Sequence, residues 1–112
     1  MGKKTELFYR HKVIRGAKKF LELVNELPYV ENVGVFNTID KSIGIRNPEV
    51  RIKGYDMQRG QLKTTFYSVK DGFQDFMIKI NPQDFRNFIR VVESEGYILS
   101  GKETIGLESK TN

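Results

Sequence analysis

Nucleophilic and thiolate chemistry have little to work with in this chain. It has no cysteine, and its single histidine, His11, stands between Arg10 and Lys12. Two neighbouring cations disfavour a divalent ion there, and Glu6, Asp40 and Asp56 stand at no metal-ligand spacing from it. Three carboxylates, Glu49, Asp75 and Asp56, with Lys79 nearby, have the residue types of a metal-dependent nuclease. Their spacing matches no nuclease signature, and Arg51, Lys53 and Lys63 can neutralise the acids. We therefore assign no catalytic residue, no metal ligand and no cofactor, and expect a protein that is not an enzyme. What remains is a set of cations interleaved with aromatic rings: Arg51, Lys53, Tyr55, Lys63, Tyr67, Phe73 and Lys79. Cations replace the counterions of phosphates, and flat rings take unstacked bases, so the set suits nucleic acid and single strands above duplexes.

The elements that position these residues follow from a period-two pattern between Glu49 and Ile80. Val50 and Ile52, then Leu62, Thr64 and Phe66, then Phe76, Ile78 and Ile80 fall on one parity. The basic and aromatic residues fall on the other. Lys70-Asp71-Gly72 joins the last two runs, and Asp-Gly suits a hairpin because it tolerates positive φ. Asp56 to Gly60 makes a looser link between the first two. This predicts a three-stranded meander with one apolar face and one wet face.

Around the meander, Ala17 to Leu27 carries Ala17, Phe20, Leu21, Val24 and Leu27 at helical spacing, and Pro28 stops it. Val33–Ile39 reads as a further strand, and 40–48 as a loop with Gly44, Asn47 and Pro48. Asn81-Pro82-Gln83-Asp84 reads as a capped helix start before Phe85, Phe88, Ile89 and Val92, and Gly96 as the stop. The predicted class is α+β: a four-stranded, mostly antiparallel sheet with meander 49–80, one helix before it and one after, both on its apolar face. A single domain over 1–112 is expected, with 1–6 a flexible lead-in and 99–112 a loose tail. Leu7 to Ile14 reads as a short strand or an arm.

The net charge of +5 is uneven. Residues 1–19 hold seven basic side chains and one acid, so the remaining chain sums to −1. Arg10, Lys12 and Arg15 in this arm could extend a phosphate path beside the sheet. No apolar run approaches the ~20 residues of a spanning helix, and no apolar region follows the first lysines as in a secretory signal. The expected setting is the cytoplasm, with nucleic acid as partner and no membrane. The alternative reading is a structural or regulatory interaction module, forming a homodimer through the same sheet face or an exposed edge.

The run Arg10-His11-Lys12-Val13-Ile14-Arg15-Gly16-Ala17, followed by Phe20-Leu21, resembles the opening of a family of small uncharacterised prokaryotic proteins that carry a metal-binding label. Gly60-Gln61-Leu62-Lys63 and the pair Gln74-Asp75 resemble later motifs of that family. The resemblance covers about residues 7–95 and implies the order of elements. It also implies a metal site on histidines near the start, of which this chain has only His11.

Overall fold

The computed structural model describes residues 6–9, 15–39, 48–68 and 72–107. Among them a six-stranded sheet carries two helices. The strands are β1 (Glu6–Tyr9), β2 (Val30–Ile39), β3 (Glu49–Asp56), β4 (Gln61–Ser68), β5 (Gly72–Ile80) and β6 (Ile98–Ser100). The helices are α1 (Arg15–Asn25) and α2 (Phe85–Ser94). The spatial order is β1-β2-β5-β4-β3-β6. The four inner strands are antiparallel, and the expected meander lies at their centre.

The sheet is wider than the four strands expected, and it is mixed. β1 pairs parallel to β2, and β6 pairs parallel to β3. A parallel neighbour needs a long crossover, and α1 supplies one between β1 and β2. The stretch from Leu99, expected as the start of a loose tail, is part of β6 and a following 3-10 turn, Lys102–Ile105. Leu99 is buried, and Ile105 and Leu107 pack on the core. Gly101, between strand and turn, has φ of 80° and lies against the Ile52 backbone, where a Cβ would collide. Residues 1–5 and 108–112, the Lys70-Asp71 part of the hairpin and most of the 40–48 loop lie outside the described residues.

One continuous core fills the space between the sheet and both helices. α1 buries Ala17, Phe20, Leu21 and Val24, while Lys18, Lys19 and Glu22 face outward, as its apolar spacing dictates. Phe20 is central: its ring lies 5.7 Å from Phe66, 5.3 Å from Phe76 and 5.5 Å from Tyr97. α2 buries Phe85, Phe88, Ile89 and Val92. Asn81 makes no side-chain cap, contrary to expectation; Pro82–Asp84 instead form a 3-10 turn that leads into α2. The far end of α2 closes on Gly96, at φ of 97°. There Gly96 N–H donates to Glu93 O at 3.0 Å and Tyr97 N–H to Val92 O at 3.4 Å. This pair of bonds satisfies the last carbonyls and turns Tyr97 back onto the core.

Candidate nucleic-acid interface

Both helices pack on the face of Val50, Ile52, Leu62, Phe66, Phe76, Ile78 and Ile80, so the opposite face holds the residues of interest. On β4 and β5, strict alternation brings Lys63, Thr65, Tyr67, Phe73, Asp75, Met77 and Lys79 to that outer face. Tyr67 stands directly opposite Phe73, and their ring centroids lie 5.3 Å apart at 58°. On β3, Arg51 belongs to the same face, and its guanidinium lies 5.9 Å from the Tyr67 ring centre. That distance is within reach of a cation–π attraction. A guanidinium, a phenol and a phenyl ring thus form one contiguous patch.

Tyr55 does not join them. The register shifts by one residue between Ile52 and Gly54, so Lys53 is an extra residue and the alternation beyond it reverses. Tyr55 therefore pairs with Leu62, an inner-face residue, and its ring packs edge-on against Phe85 of α2 at 4.2 Å. Burial, and then the nearby Asp56 carboxylate, push the Tyr55 pKa up. Its role is in the core, not in stacking a base.

The remaining expected cations divide by environment. Lys53 and Lys63 are exposed and form no ion pair among the described residues. Lys79 is 3.8 Å from Glu31, itself the extra residue of a second register shift, in β2. This exposed pair is worth little, yet it reduces the charge available to a phosphate. Arg15 opens α1; its side chain, like Arg10, His11 and Lys12, lies outside what the structure describes.

The carboxylates do not converge. Glu49 accepts from Ser100 Oγ at 3.1 Å on the β6 side. Asp56 accepts from the Gln58 and Arg59 amides in its own turn. Asp75 and Lys79 are four residues apart along β5, about 13 Å at the usual strand rise. Among the described residues no group of three His, Cys, Asp or Glu side chains comes together in a metal-binding arrangement.

Asp75 has a different setting, which sequence pattern alone did not reveal. Thr65 Oγ1 donates to its Oδ1 at 2.6 Å, and Asn37 Nδ2 donates to its Oδ2 at 3.3 Å. Asn37 sits at φ of 51° in a third bulge, between Phe36 and Ile39 of β2. Asn is one of the few residues that take this left-handed conformation at modest cost. Asp75's neighbour Gln74, fully buried on the helix side, donates to Phe36 O at 3.1 Å and accepts from Thr38 Oγ1 at 3.1 Å. Consecutive residues of β5 thus clamp the β2 bulge from both faces. Beside the clamp lies a shallow concavity of about 410 Å³, bordered by Asn37, Lys53, Thr65, Tyr67, Phe73 and Asp75. A second, of about 440 Å³, lies toward Lys63, Arg59 and Met77, and Lys53 borders both.

No helix among the described residues is long and apolar enough to cross a membrane. Comparison of the chain with protein-family models, with curated proteins and with solved structures finds no match to any of them.

Proposed function

We propose that the outer sheet face binds single-stranded nucleic acid. The observation that carries this reading is the Arg51–Tyr67–Phe73 patch, with Lys53 and Lys63 free to meet phosphates. Stacked bases on sheet aromatics contribute about 1–3 kcal/mol each, and cations along the strand add a salt-dependent term. Neither helix obstructs the face, and the two concavities that share Lys53 offer a path across it. Tyr55 has no part in the interface. Fluorescence anisotropy with a labelled oligothymidylate tests the reading: replacing Tyr67 and Lys63 together by Ala lowers affinity at least tenfold. Unchanged affinity would remove the sheet face from the account.

A second reading is self-association through the same face. It is favoured by Ile39, 40% exposed, next to Phe73 across the β2–β5 pair. Sedimentation equilibrium separates the two: a dimer that Tyr67→Lys dissociates, with no strand bound at low salt, supports the interaction module.

A further inference from the structure

We propose that the concavity beside the β2 bulge selects guanine among the bases of a bound strand, with Asp75 as the reading group. The inference rests on the outer face being a single-strand platform and adds the base that it prefers. A carboxylate on a phosphate-binding surface repels the backbone, so its use there is toward a donor edge of a base. Asp75 is held for that purpose. Thr65 and Asn37 each donate to a different oxygen of it, fixing the plane of the carboxylate. Thr65 is only 2% exposed, which makes it a rigid support. An ionised carboxylate has about four acceptor positions, so about two remain after these bonds.

Unpaired bases are read on their Watson–Crick edges. Guanine presents two adjacent donors there, N1–H and the N2 amino group, which match the two oxygens of one carboxylate. Its neighbouring O6 is an acceptor, and Lys53 borders the same concavity to meet it. Adenine and cytosine each offer one amino group beside a bare ring nitrogen, whose lone pair would face the carboxylate. Thymine and uracil offer one N–H between two carbonyls. Tyr67 and Phe73 supply ring surface at the same concavity for the base plane.

The test is anisotropy with the full chain and labelled oligothymidylates carrying one central dG, dA, dC or deoxyinosine. The dG strand binds about tenfold or more tightly than the dA and dC strands. Deoxyinosine, which keeps N1–H and lacks the amino group, falls between. Asp75→Asn abolishes the preference for the dG strand over the dA and dC strands. Asn37→Gly, which keeps the left-handed backbone, reduces the preference while the fold stands, as far-UV circular dichroism verifies. All-thymine binding with equal affinity for every central base overturns the guanine assignment and leaves the platform standing. No binding of any strand overturns both. A dG preference that survives in Asp75→Asn also overturns the assignment to Asp75.

Discussion

Tyr55 stands opposite Leu62 across β3 and β4, one bulge beyond the pairing of Ile52 with Thr64. This relationship turns the ring from the wet face to the helix side, where it meets Phe85. Tyr55 and Tyr67 fall on the same parity in the sequence, and the structure places them on opposite faces of the sheet. Tyr55→Ala is expected to lower stability by about 2–4 kcal/mol, since it empties a site packed against α2. Its strand affinity should stay within twofold of the parent. Tyr67→Ala should do the reverse. Urea denaturation and anisotropy on the same two preparations check both halves.

The Tyr55 hydroxyl is shielded from solvent and has no hydrogen-bond partner among the described residues. A buried hydroxyl without a partner carries its desolvation cost uncompensated. Tyr55→Phe should therefore be neutral or stabilising, by up to about 1 kcal/mol. A clear loss of stability in thermal denaturation would show that the hydroxyl is bonded.

The clamp on the β2 bulge makes its own prediction. Asn37→Val forces a β-branched residue into φ of 51° and should cost about 1–2 kcal/mol, whereas Asn37→Gly should cost less. Gln74→Leu leaves Phe36 O and Thr38 Oγ1 without the bonds Gln74 makes to them, and should cost about 1–3 kcal/mol. Urea midpoints for the three variants test the order.

Alkaline pH tests the packing of Tyr97. Burial first, and then Glu95, push its pKa above the usual tyrosine value of about 10. The folded state therefore holds that proton more tightly than the unfolded chain does. The contribution is complete below pH about 10 and is lost as pH rises through the folded value. Tyr29 and Tyr55 are raised in the same direction, also chiefly by burial. Stability should fall above pH about 10, and less steeply in Tyr97→Phe, as urea midpoints between pH 8 and 11 would report.

The inner strands and both helices were legible because their apolar residues repeat at two or at about 3.6 over long enough runs. Val50 to Ile80 shows this for the meander, and Phe85 to Val92 for α2. β1 and β6, at 4 and 3 residues, are too short to set up a period. A short strand or arm over Leu7 to Ile14 and an edge element from Ile98 could be read, but not their parallel pairing or their place in the sheet. One extra residue at Lys53 reversed Tyr55; Gly54, an isolated glycine inside a strand pattern, is the mark of that bulge, and the period-two reading ran straight through it. The expected face was otherwise well placed, with Arg51, Lys53, Lys63, Tyr67, Phe73 and Lys79 all on it. The setting of Asp75 was hidden because it depends on β2 lying beside β5, a pairing between residues 38 positions apart for Asn37 and Asp75. Local pattern carries no information at that range.

The most direct measurement of the central claim is the salt dependence of single-strand affinity for the parent protein and for Lys63→Ala. Each cation that neutralises a phosphate contributes about −0.7 to the slope of log K against log salt for single strands. With Arg51, Lys53 and Lys63 engaged, the parent slope should be about −2, and Lys63→Ala should flatten it by about 0.7. No binding even at low salt, or a parent slope that Lys63→Ala leaves unchanged, would contradict the account.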